Sequence, residues 1–202
     1  AGRDVFVFDL DEDTIERVSL SDKGTQGNQK SGTPSISGDG RYVAYASDAS
    51  NIVTGFQNFE VNVYIHDRAA TDVADSVTGV AVPFDLAANR NSLEPDISDD
   101  GSTVVFQFNA GVSDPRDGYR YSDIYAYDLD TQIVERITGG NSGNDADGNR
   151  SESPSVSGDG RYVAFQSNVA TFDFTDTNRR VDVFVYDRET DTLERISVDS
   201  EG

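Results

Sequence analysis

Short stretches of alternating side chains recur along the chain, and no stretch keeps a helical period. The clearest reads Asp4-Val5-Phe6-Val7-Phe8-Asp9, and it returns at Asn62 to Asp67, Asp123 to Asp128 and Asp182 to Asp187. One set of alternate positions is aromatic: Phe6/Phe8, Tyr64/His66, Tyr125/Tyr127 and Phe184/Tyr186. The other set is small or branched: Val5/Val7, Val63/Ile65, Ile124/Ala126 and Val183/Val185. A second kind of stretch behaves alike, with Val43/Tyr45, Val104/Phe106 and Val163/Phe165 opposed to Ala44, Val105 and Ala164. Successive side chains of a strand point to opposite faces, so these strands are apolar on both faces. A sheet of that kind has to be covered on both sides. With no helices to cover it, the cover must be other sheets. The pattern predicts small four-stranded sheets stacked face to face, large side chains against small ones, which are the blades of a β-propeller. A β-sandwich would leave one face of each sheet polar, against the pattern.

The stretches recur with a fixed period. The segment Pro34-Ser35-Ile36-Ser37-Gly38-Asp39-Gly40-Arg41-Tyr42-Val43-Ala44-Tyr45 returns nearly unchanged from Pro154 to Phe165, and more loosely from Pro95. The three prolines stand 61 and 59 residues apart. Glycine next to aspartate between two β-rich runs predicts a tight hairpin, because glycine accepts positive φ. The chain holds three hairpins of this first-and-second-strand kind and four of the third-and-fourth-strand kind. The predicted fold is therefore all-β, a propeller of four-stranded antiparallel blades in a single domain. It has a half-blade over 1–23 and full blades over 24–82, 83–142 and 143–202. Three of the four tails carry a Glu-Arg pair, at Arg17, Arg136 and Arg195, read as interblade or edge ion pairs. The tail after Asp67 departs from this, with Asp75 and Ser76 near the place of the arginine.

The run Pro-Ser-[Ile/Val]-Ser-Gly-Asp-Gly-Arg-Tyr-Val-Ala-[Tyr/Phe], a loop, Asp-Val-Phe-Val-Tyr-Asp-Arg and Glu-Arg-[Ile/Val]-Ser resembles the propeller repeat of the TolB-type (WD40-like) family. The similarity spans almost the whole chain and is sharpest in the first and third copies. It implies a fold and a habitat, namely periplasmic or secreted bacterial proteins that often serve as interaction domains. It implies no reaction.

Charge narrows the partners. The 37 acidic and 16 basic residues give −21, a field that repels nucleic acid and anionic membrane surfaces and favours cations and basic partners. No run approaches the eighteen or so apolar residues of a membrane-inserted helix. Cysteine is absent, which removes disulfides, thiol nucleophiles and thiolate metal sites. The chain opens on Ala1 without a visible secretory signal, as a processed chain or a piece of a longer one would.

Candidate chemistry is sparse. His66 is the single histidine and occupies an aromatic slot of the repeat, so it reads as a packing residue and leaves Ser–His–Asp or Cys–His catalysis without a second base. A glycosidase needs two facing carboxylates. The first strands offer only Asp96, between Ser35 and Ser155 at equivalent positions, with Glu94 and Glu152 just before them. Calcium suits the chain better, since it takes six to eight oxygens from flexible Asp/Asn loops. The loop 173–182 offers Asp173, Asp176, Asn178 and Asp182, and a second loop offers Asp145 and Asp147. The latter resembles part of an EF-hand loop but has Gly143 and Pro154 where the first and last ligands belong. The expected function is a non-enzymatic extracellular or periplasmic scaffold, calcium-stabilised and self-assembling into a filament or surface layer by strand complementation of the half-blade. Its partners would be other copies of itself or another protein. The alternative is a ligand- or glycan-binding propeller module of a larger secreted hydrolase.

Overall fold

The computed structural model describes residues 2–56, 61–80, 91–109, 122–138, 150–169, 172 and 180–198. These form fourteen strands in four antiparallel sheets and one 3₁₀ turn, Val73–Asp75. The half-blade pairs β1 (Phe6–Asp9) with β2 (Thr14–Arg17). The first full blade runs β3 (Ser31–Ile36), β4 (Tyr42–Ser47), β5 (Asn62–Asp67) and β6 (Val77–Gly79) in spatial order. The second follows the same order with β7 (Asn91–Ile97), β8 (Thr103–Asn109), β9 (Asp123–Asp128) and β10 (Val134–Arg136). The third is β11 (Ser151–Val156), β12 (Tyr162–Ser167), β13 (Asp182–Asp187) and β14 (Thr192–Arg195).

One turn chemistry builds the first hairpin of every full blade. Ser37 Oγ accepts from the Tyr42 N–H and donates to Asp39, whose carboxylate accepts from the Arg41 N–H. Ser98/Asp100 and Ser157/Asp159 repeat the device. Gly40, Gly101 and Gly160 complete it at φ near +72°, where a Cβ would be strained. The Ser37 hydroxyl and the Arg41 N–H hold the Asp39 carboxyl below its ordinary pKa.

The aromatic face of each full blade packs on the branched face of the blade before it. Val5 and Val18 of the half-blade meet Val43, Tyr45 and Tyr64. Ala44, Val63 and Ile65 meet Val104, Phe106 and Tyr125. Val105, Ile124 and Ala126 meet Val163, Phe165 and Phe184. Inside each aromatic face the second- and third-strand rings stack: Tyr45 on Tyr64, Phe106 on Tyr125 and Phe165 on Phe184, with centroids 5.9 to 6.0 Å apart. Burying such a ring stabilises by about 1.5–3 kcal/mol, so these interfaces are the core.

The fourth strand of the first full blade differs from its sequence reading. Its register sets His66 opposite Val77 and Tyr64 opposite Gly79, whereas Phe8 faces Ile15 and Phe6 faces Arg17. The connection is four residues longer than in the half-blade, and the 3₁₀ turn Val73–Asp75 takes up the excess. Gly79, not Asp75 or Ser76, therefore holds the arginine's place. A Cβ there would lie 2.8 Å from the Phe56 ring, so glycine lets that ring close over the strand end.

The Glu-Arg tails divide into an edge-strand pair and an interblade pair. Arg17, Arg136 and Arg195 reach within their own sheets to Asp4, Asp123 and Asp182. The glutamates face the next blade, where Glu16 accepts from Arg68 and Glu135 from Arg188. In the first full blade the within-sheet pair is lost on both sides, Asn62 standing with Gly79.

Candidate functional site in the axial recess

The innermost strands β3, β7 and β11 each carry one extra residue against their partners, giving bulges between Gly32 and Ser35, Leu93 and Asp96, and Glu152 and Ser155. The residue before each repeat proline takes a left-handed conformation, with Thr33, Glu94 and Ser153 at φ of 46°, 52° and 53°. For non-glycine residues this is strained, and a bulge re-aims the side chains that follow it. All three bulges open onto one recess of about 480 Å³, lined by the Thr33–Ser35, Glu94–Asp96 and Ser153–Ser155 segments.

Asp96 sits at the middle of this recess. Its Oδ1 accepts from the Ser35 hydroxyl at 2.8 Å, and its Oδ2 accepts from the Ser155 hydroxyl at 3.0 Å and the Val156 N–H at 2.9 Å. Ser35 Oγ in turn accepts from the Ile97 N–H. One carboxylate thus ties together all three full blades across sequence distances of 59 to 61 residues. Asp96 is a clasp, with three donors on its two oxygens. Of the two glutamates at the mouth, Glu152 pairs with Arg150 at 3.3 Å, and Glu94 is exposed. The recess offers hydroxyl and carboxylate oxygens to a cation or a hydrogen-bond donor.

His66 lies elsewhere, in β5 opposite Val43 and Val77 and almost fully buried. Burial lowers its pKa, and its Nδ1 has no hydrogen-bond partner among the described residues. Of the calcium candidates, Asp173, Asp176, Asn178, Asp145 and Asp147 fall outside the described residues. Asp182 is described: it is buried, accepts from the Ser197 hydroxyl at 2.7 Å, and lies 3.9 Å from Arg195. Asp4 with Ser19 and Arg17, and Asp123 with Thr138 and Arg136, repeat the arrangement. No group of three or more acidic or histidine side chains placed to hold a metal occurs among the described residues.

Sequence reasoning placed Ser35, Asp96 and Ser155 at equivalent positions but missed that they bond to one another. The signal available was a single acidic residue in a position where the other two repeats carry serine.

The fold is a TolB-like β-propeller. Superposition on TolB from Acinetobacter baumannii gives a TM-score of 0.52 at 19% identity, covering 96% of this chain and 37% of that one. A prolyl endopeptidase structure gives 0.59 at 14% identity, covering 99% and 26%. An oligogalacturonate lyase in complex with manganese gives 0.55 at 14%, covering 96% and 41%. The chain thus spans between about a quarter and two fifths of these proteins. No family model and no curated protein matches the sequence. Among the described residues no helix is long and apolar enough to cross a membrane.

Proposed function

We propose that this propeller is a non-enzymatic structural and interaction module, extracellular or periplasmic, that assembles with further copies of itself or with another protein through its half-blade. The observation that carries this is the open edge of β1. Among the described residues β1 pairs with β2 alone, whereas its counterparts β5, β9 and β13 each have strands on both sides. An unpaired strand edge is a template for strand addition, and head-to-tail contacts that do not close propagate as filaments. The −21 charge and the Asp-rich sequence around 145 and over 173–182 support calcium as a stabilising ion. Sedimentation and electron imaging of the 202-residue chain, with calcium and then with chelator, test both parts. Ordered multimers are expected, with a melting midpoint that drops on chelation. A chain that stays monomeric at high concentration would sink the assembly reading, and an unmoved midpoint would remove calcium.

A second reading is a ligand-binding propeller of a larger hydrolase. It is favoured by the polar axial recess and by the fold's likeness to a prolyl endopeptidase of greater length. A monomer that binds a soluble glycan or peptide in that recess would favour it over assembly.

A further inference from the structure

Two of the three internal interfaces share one polar contact, and the third replaces both of its members. Glu16, opposite Val7, accepts from Arg68 Nε at 2.9 Å, and Glu135, opposite Ala126, accepts from Arg188 Nε at 3.1 Å. Each arginine directly follows the aspartate that ends the third strand, Asp67 or Asp187. Each also donates from Nη1 to the turn carbonyl of its own blade, Gly40 at 2.6 Å and Gly160 at 2.8 Å. Between the first and second full blades, Thr78 stands opposite Ile65, and Leu129 follows Asp128 and packs on the apolar cluster. The two positions change together: glutamate with arginine, or threonine with leucine.

The third full blade presents the same receiving face uncovered. Val183 holds the place of Val63 and Ile124, which are fully buried, and Ile196 that of Val18, also fully buried, yet the two are 40% and 49% exposed. Glu194, opposite Val185, holds the place of Glu16 and Glu135, and its carboxylate has no partner among the described residues. The half-blade offers an open aromatic face, Phe6 and Phe8, but the residue after its Asp9 is Leu10, 87% exposed.

We infer that the face formed by Val183, Ile196 and Glu194 seats a further blade of the same repeat type whose third strand ends in Asp-Arg, and that the half-blade of a second copy is not its partner. The inference rests on the assembly reading above and adds which sheet can follow which. The apolar part of the face accepts any aromatic sheet. Glu194 discriminates, because a carboxylate covered by Leu10 loses water without gaining a donor, whereas an arginine supplies one directly.

Leu10 and Glu194 are both exposed, so Leu10→Arg, Glu194→Gln and the double variant of the full 202-residue chain keep the fold. Sedimentation equilibrium compares their self-association. Glu194→Gln is expected to leave the parent chain's association unchanged. Leu10→Arg is expected to tighten it by about 10-fold, by completing the contact between copies. Adding Glu194→Gln to Leu10→Arg is expected to remove that gain. The inference is overturned if Leu10→Arg changes nothing, if its gain survives Glu194→Gln, or if Glu194→Gln alone weakens the parent. A parent chain that is monomeric defeats assembly through the β1 edge, while the response of Leu10→Arg to Glu194→Gln still decides the pairing.

Discussion

Phe6 and Phe184 hold the same place in the repeat and meet opposite surroundings. Phe184 is 3% exposed, stacked on Phe165 and covered by the second blade, whereas Phe6 is 48% exposed, with the Arg17 guanidinium over its ring at 5.3 Å. The side chains and their strands are alike. The difference lies in the neighbouring sheet, which in a stacked-blade fold supplies half of every core. Burial here belongs to an interface and cannot be assigned to a strand by itself.

The sharpest way to test that comparison is truncation at both places. Phe184→Ala should cost about 3–5 kcal/mol in urea unfolding, the usual range for a buried phenylalanine, and Phe6→Ala about 1 kcal/mol or less. Equal costs would mean that a sheet covers Phe6 in solution. Next in size is the axial clasp. Asp96→Ala strips acceptors from two hydroxyls and the Val156 N–H, and should cost about 1–3 kcal/mol. Asp96→Asn, which keeps one acceptor oxygen, should cost less, and a neutral Asp96→Ala would show that water replaces the clasp.

The interface contact can be tested inside one chain. Leu129→Arg should destabilise by about 1–2 kcal/mol, because a charge enters a contact with the apolar cluster. Adding Thr78→Glu should recover part of that loss, and a double-mutant cycle with no coupling would break the pairing rule. The smallest effect concerns pH. Burial depresses the His66 pKa below its ordinary 6.5, so the folded state takes up its proton less readily than the unfolded chain. The stability that neutral His66 contributes is complete above pH about 6.5 and falls away as pH drops through the lower folded value. His66→Phe, the residue of the same slot in the half-blade, should flatten the loss between pH 7 and 5. A second loss at lower pH should remain, because the arginine forks on Asp67 and Asp187 depress those carboxyls, whose stabilising ionisation disappears as pH falls below about 3.8.

The blade pattern was legible because aromatic and branched positions alternate in step at a sixty-residue period, and because Asp-Gly hairpins mark where strands turn. Contacts between repeats were not legible. Ser35, Asp96 and Ser155 meet only because three bulged strands converge on one axis, and Thr33, Glu94 and Ser153 before the prolines share no residue type that would announce a bulge. The partners of Arg17, Arg136 and Arg195, expected only as interblade or edge ion pairs, could not be named for a related reason. Glu and Arg are adjacent in sequence but point to opposite faces of the strand, so one serves its own sheet and the other serves the next blade. In the first full blade, a four-residue extension shifted the fourth strand beyond the reach of pattern matching.

The Asp96 clasp has a mechanical meaning. Hairpin contacts within a blade are local, so a chain pulled from its ends should give up one blade at a time, each freeing about sixty residues, or roughly 200 Å of contour. Among the described residues, Asp96 is the one carboxylate bonded to inner strands of all three full blades. It adds a polar link to the apolar interfaces that already join neighbouring blades, so the first rupture should be the costliest and the later ones easier. Without Asp96 the force trace should even out into equal steps.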